Sequence, residues 1–228
     1  MVPLPKGDDP LLLSEVARWG DEIHMRRFLA VMLILFGLGL LAYPAVRGHY
    51  YDHRQRQLLA QWAEWQEGAT PALVEAEGLA GEETPAPDLS REEYIQDNME
   101  GVLIIDKIGL QVPVLRKDTE ENLNISVAHV EGTAGPGEVG NYCIAGHHMR
   151  AYGRHFNRLH EVTVGDEIEF RGPDATMIYQ VTGVLIVQPE ETWVLDPPEG
   201  EEALITLITC EYSRKPPLRL VVRGRLLI

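Results

Sequence analysis

Apolar positions along the chain fall into three regimes with different periods. The first is an unbroken block: Phe28–Tyr43 (FLAVMLILFGLGLLAY) holds sixteen uncharged residues, and Pro44 to Val46 extend it to nineteen. At about 1.5 Å per helical residue, that length just crosses a hydrocarbon core. The block is apolar on every face and charged at its flanks, which argues against a buried core helix. It also starts late and lacks a clean small-residue cleavage site, which argues against a removed leader. The pattern predicts an uncleaved transmembrane signal anchor over 28–46, after an N-terminal arm at 1–27. The second regime is helical. In 49–67, Leu58, Leu59, Trp62 and Trp65 share one face and predict a stalk helix packed on the domain or on the membrane surface. The segment 68–90 (GATPALVEAEGLAGEETPAPDLS) then reads as a loose spacer, so 47–93 is expected to be stalk and acidic linker.

The third regime begins at about residue 94 and consists of short apolar runs between turn residues. It predicts strands over 101–105, 110–115, 141–145, 166–171, 176–188, 204–209 and 218–226, with a short capped helix over 118–126. Turn signals stand at 135–137 (GPG), 164–166 (VGD) and 171–174 (RGPD). Strands at this density predict a mainly β domain over 94–228, a barrel or sandwich with one or two small helices. The polar stretch 189–203 precedes the LITLITC run, where it is placed to overhang a site.

Composition refines this picture at two points. The 228 residues are 45% apolar and 24% charged, with a formal net charge of −15. The acidity is concentrated in 52–100, where 12 acidic residues face only 3 basic ones. No basic patch stands out, which argues against a nucleic-acid partner. Basic residues flank the apolar block on both sides. The short arm holding Lys6, Arg18, Arg26 and Arg27 favours an inside N-terminus and an outside C-terminal domain. There are two cysteines, Cys143 and Cys210, too few for a disulfide scaffold.

Candidate chemistry centres on Cys210, which ends an apolar strand and precedes a short polar turn. A cysteine nucleophile needs thiolate character, supplied by a nearby cation or imidazolium. The available partners are the histidines at 129, 147, 148, 155 and 160 and the arginines at 214, 219 and 223. His147 follows the strand NYCIAG directly. Arg219 starts the strand after Cys210, and a hairpin would return it beside that cysteine. Each of these is weak alone, since a cysteine after an apolar strand is more often core than catalytic.

Together they carry a resemblance. LITLITC followed by LRLVVRG resembles the TLxTC…R motif of sortases, the cell-wall transpeptidases of Gram-positive bacteria. EGVLIIDKIGLQVPVL (100–115) is similar to the family's first two strands. Residues 128–170 resemble its path from GH…GT…PG…GN to AGH, then through FxxL (Phe156, Leu159) and VGD. The resemblance covers nearly all of 94–228 and implies a closed β-barrel of about seven to eight strands behind a membrane anchor.

It also implies roles. Cys210 takes the nucleophile's place, His147 that of the general acid/base, and Arg219 that of the residue holding substrate carbonyls or the oxyanion. The backbone N–H of Glu211 is a second candidate oxyanion donor, and Thr209 is expected to support the substrate or the site. The implied partners are surface proteins bearing an LPxTG-like sorting signal and an amine acceptor on a peptidoglycan precursor or a pilin lysine. No cofactor is implied. No Cys/His spacing suggests zinc, and no required metal is expected, although the acidic loop 188–202 is of a kind that can bind calcium. The segment PAPDLSREEY lacks the Asp-Pro-aromatic lid of pilin polymerases and the chain stops after its last strand, so a class D-like or related non-pilin sortase is expected. His148 stands where the family usually has Arg. His129 is expected to be structural, His155 and His160 to lie on the surface, and Cys143 to be a buried small hydrophobe. Arg214 is the alternative to Arg219 should the hairpin register differ. A hydrolytic cysteine peptidase and a silent wall-peptide-binding barrel are the competing functional readings.

Overall fold

The computed structural model describes residues 10–69, 97–148, 155–197, 199–200, 202–212 and 215–227. The PAPDLSREEY segment and Arg214 lie outside them. The chain divides into two compact units, Met1–Tyr50 and Tyr51–Ile228.

Helix α1 (Pro10–Ala69) supplies the described part of the first unit. Its apolar block is exposed around the whole circumference, with Phe28 63%, Leu33 69% and Leu41 79% exposed. The helix is long and apolar enough to cross a membrane. In water, so many uncovered large side chains would be unfavourable on every face, whereas lipid tails would cover them without any packing partner.

The second unit is a closed eight-stranded barrel with strand order β1-β2-β3-β4-β7-β8-β6-β5. Its strands are β1 (Met99–Ile105), β2 (Leu110–Leu115), β3 (Val127–His129), β4 (Gly140–Ala145), β5 (Glu167–Arg171), β6 (Thr176–Val187), β7 (Ala203–Glu211) and β8 (Leu218–Leu226). Seven of them coincide with the strands expected from the apolar runs. The unexpected one, β3, has three residues and is too short to show an alternation. It is a strand because Val127 and Ala128 pair with Val114 and Leu115 of β2, while His129 pairs with Ile144 of β4. The short helix α2 (Glu120–Ile125) starts where Thr119 accepts a hydrogen bond from the Asn122 backbone N–H at 3.2 Å.

Alternation along the strands divides the barrel wall into two faces. Leu103 and Ile105 of β1, Tyr142 and Ile144 of β4, Ile205 and Leu207 of β7, and Leu220 and Val222 of β8 fill the interior with Phe156, Leu159, Phe170 and Tyr179. Outside, Leu58 and Trp62 of α1 pack with Met99, Val102, Ile104, Leu115, Ile125 and Ala128. The cover explains why β1 is buried at all seven positions and reads as a continuous apolar run. β5, with one side open, alternates instead.

Candidate active site

Three adjacent strands, β4, β7 and β8, carry the predicted residues to one place. β4 and β7 run parallel, in register from Gly140↔Ala203 to Ala145↔Ile208. β7 and β8 form an antiparallel hairpin in which Cys210 pairs with Arg219. Because Ile205 and Leu207 face the core, Thr206, Ile208 and Cys210 face outward. By the same reasoning Leu220 and Val222 face inward, leaving Arg219, Val221 and Arg223 outside. Two residues beyond the last β4–β7 pair stand His147 and Cys210. The pairing is prolonged there by a hydrogen bond from the Gly146 N–H to the Ile208 carbonyl at 3.0 Å. Gly146 must be glycine for space: a Cβ there would lie 2.6 Å from Phe156 Cδ2 and 2.8 Å from Val127 Cγ1, both core atoms. Gly146 thus takes the inward turn of the alternation, and His147 takes the outward one, on the face of Cys210 and Arg219.

The direct contact is between Arg219 and Cys210. Arg219 Nη1 lies 3.4 Å from Cys210 Sγ and 3.5 Å from its neighbour's carbonyl, that of Leu218. Cys210, Arg219 and His147 are each half-buried, shielded by the barrel wall but open on one side. Glu211 is also half-buried and ends β7, one residue past the thiol. Thr209 is placed differently. It is 2% exposed, and its hydroxyl has no hydrogen-bond partner among the described residues. Its side chain lies on the core side of the strand, so it backs Cys210 and does not line the open face.

The other candidates separate from this cluster. His148 pairs with His155 in an isolated bridge, and its ring meets Tyr212 edge-on at 5.5 Å. His160 is exposed. His155 is not the surface residue expected from its polar neighbourhood: it is 1% exposed, with a left-handed φ of 47°. The bridge to His148 and the adjoining core residue Phe156 draw it in. Cys143 is fully buried, and desolvation pushes its thiol up to about 12. Arg223 sits four positions from Arg219, where its Nη2 donates to the Val194 carbonyl at 2.8 Å.

Two polar networks elsewhere in the barrel were not legible in the pattern of residues. In one, His129 Nδ1 contacts Glu100 Oε1 at 2.9 Å and Nε2 contacts Thr133 Oγ1 at 3.0 Å, while the Tyr142 hydroxyl donates to Glu100 Oε2 at 2.8 Å. Burial alone would lower the His129 pKa, but the hydrogen bond and charge of Glu100 more than offset it and raise the value above the ordinary one. Full burial, and then the same negative neighbour, raise the Tyr142 pKa well above its usual range. In the other, buried Asn141 bonds to the β6–β7 connection and to Thr206. The only sign of either in the sequence was a polar residue at a position whose neighbours are core. Among the described residues, no group of three or more His, Cys, Asp or Glu side chains converges as a metal site would require.

Comparison with known proteins leads to one family. A sortase-domain profile matches residues 103–227, more than half of the chain. Sortase A of Bacillus anthracis is 28% identical over 199 residues, spanning 86% of this chain and 92% of that protein. The solved sortase A of Listeria monocytogenes matches with a TM-score of 0.53 at 28% identity, covering 57% of this chain and 88% of that one. A sortase D5 transpeptidase of Clostridium perfringens shares the fold at a TM-score of 0.59 and 22% identity, over 78% of this chain and all of that one. The matched stretch runs from the middle of β1 to the end of β8, and so takes in all but the first part of the barrel, with the strand ends that bear Cys210, His147 and Arg219: the chain belongs to the sortase family, the cysteine transpeptidases.

Proposed function

We propose that this chain is a membrane-anchored transpeptidase that cleaves an LPxTG-like sorting signal and passes the acyl product to an amine. The observation that carries the reading is the 3.4 Å contact between Arg219 Nη1 and Cys210 Sγ, on a barrel face shared with His147. In the first step the Cys210 thiolate attacks the carbonyl of the signal's Thr, forming an S–C bond. The oxyanion is held by the Arg219 guanidinium and by the Glu211 backbone N–H. Protonated His147 then gives its proton to the Gly-side nitrogen, and the C–N bond breaks. In the second step an amine attacks the thioester, neutral His147 takes the proton, and the thiolate is released. The acceptor is an amine of a peptidoglycan precursor or a pilin lysine. In this reading the apolar block over 28–46 is the anchor, with the barrel on the outer side of the membrane together with both substrates.

The test is incubation of the full chain in detergent micelles with a panel of LPxTG-like peptides, with and without an amine acceptor. The full chain is preferable to one starting at 94, which would strip Leu58 and Trp62 from the β1–β2 wall. The expected result is Cys210-dependent cleavage with amine-dependent ligation. Cleavage that ignores the amine would favour a peptidase. No cleavage, or cleavage undiminished in Cys210→Ala, would favour a silent wall-peptide-binding barrel or an unrelated activity.

A further inference from the structure

A buried amide at the far end of the strands that carry the site has a task that acyl transfer does not use. Asn141, at the second position of β4, is 2% exposed, yet both ends of its side chain are engaged. Its Nδ2 donates to the carbonyls of Val194 at 2.9 Å and Asp196 at 3.2 Å. Its Oδ1 accepts from the hydroxyl of fully buried Thr206 at 2.6 Å, which fixes the amide's orientation. Arg223 Nη2 donates to the same Val194 carbonyl at 2.8 Å. Side chains from three strands, β4, β7 and β8, therefore hold one short 3-10 turn, Thr192–Leu195, in the connection between β6 and β7.

The held turn lies against the outer face that carries Cys210. Val194 is 4% exposed and packs with Val187 of β6 and Val221 of β8, joined by Ile208 of β7. Next to it, Trp193 is 46% exposed, with the Arg223 guanidinium 5.9 Å from its ring. Arg223 and Arg219 lie four residues apart on β8, which is about 13 Å along an extended strand. Arg223 marks the far side of the turn, while Val187, on which Val194 packs, pairs with Arg219 itself, and Ile208 stands two residues before Cys210, so the turn borders the Cys210–Arg219 pair.

We infer that Asn141, with Thr206 and Arg223, is a positioning residue for the acyl donor: it holds the 192–195 turn as the wall against which an extended peptide lies on its way to Cys210. The inference rests on the sorting-signal reading above. Asn141 touches neither the thiol nor the peptide, so its loss weakens donor binding and leaves the chemistry of Cys210 unchanged.

Asn141→Asp tests this, because it keeps the shape and still accepts from Thr206 but turns an oxygen toward two carbonyls. The expected result is a KM for an LPxTG-like peptide raised about tenfold or more, with kcat within about threefold of the unsubstituted chain. The KM for the amine acceptor and the rate of Cys210 alkylation by iodoacetamide should stay within about twofold. Hydrogen–deuterium exchange over 190–197 should accelerate at least tenfold in the absence of any substrate, and Thr206→Ser, which keeps the hydroxyl, should match the unsubstituted chain in every readout. Unchanged exchange over 190–197, or a fall in kcat at constant KM, overturns the inference. If the unsubstituted chain cleaves no peptide, the sorting-signal reading fails, and the exchange rates still decide whether Asn141 holds the turn. Should Asn141→Asp lose its cooperative melt, Thr206→Val, which removes only the orienting hydroxyl, is read by the same criteria.

Discussion

Replacing Arg219 by Ala removes the cation and donor that stands directly against the Cys210 thiol. The β7–β8 register sets Arg219 directly opposite Cys210, and Nη1 sits 3.4 Å from the sulfur. Two unit charges at that distance interact by about 1 kcal/mol at the dielectric of water and about 5 kcal/mol at an effective value of 20. A half-buried pair with one open side lies between these bounds. The loss of a single oxyanion donor costs about 2.7–4 kcal/mol in comparable acyl-transfer sites, which falls inside the same window. Arg219→Ala should therefore lower kcat/KM for an LPxTG-like peptide by about 10²–10³, with most of the loss in kcat, since the oxyanion exists only on the way to and from the tetrahedral intermediate. Arg219→Lys keeps the charge but not the planar fork and should recover only part of the rate. The assay is a fluorogenic peptide followed at saturating and limiting concentrations, with circular dichroism melts to show that each variant is folded. An Arg219→Ala chain within threefold of the unsubstituted rate would refute the role given to this contact.

Three further outcomes follow from the geometry. His147→Ala should reduce kcat by about 10²–10⁴, the range for a lost general acid/base, while His148→Ala, whose ring meets Tyr212 edge-on, should keep kcat/KM within about threefold; the reverse pattern would assign the acid/base role to His148. Iodoacetamide at neutral pH should label one cysteine of the folded chain and two after denaturation, as read by intact mass, because burial pushes the Cys143 thiol up to about 12. The His129–Glu100 pair should make stability depend on pH. The folded-state pKa of His129 is raised, so its contribution is complete below the unfolded value of about 6.5 and is lost as pH rises through the folded one. Melting temperatures of the unsubstituted chain and of Glu100→Gln, which keeps an acceptor for Tyr142, should therefore converge as pH rises from about 5.5 to 8; a gap that widens over that range would contradict the pairing.

The chain's local patterns determined most of the elements and singled out the candidate site residues. An uncharged run of nineteen residues specifies a bilayer-length helix because length and polarity are additive along a segment. Alternating or continuous apolar runs between turn residues marked seven of the eight strands. Cys210, His147 and Arg219 were conspicuous because each stands where such a run stops or starts. Partnership between distant segments was not legible. β3 is a strand only because β2 and β4 offer it edges, and three residues carry no period. His155 reads as a surface histidine, yet it is buried through its bridge to His148 and its place beside core residue Phe156. The amphipathic turn of α1 was expected to cover something, but only the fold assigned Leu58 and Trp62 to the outer face of β1. Asn141 was legible only as the first residue of the 141–145 strand. Its value depends on the parallel pairing of β4 with β7, strands more than fifty residues apart, and on the carbonyls of a loop. Hydrophobic periodicity is written residue by residue. Register, facing and polar satisfaction are properties of closure, and they exist only when the whole barrel does.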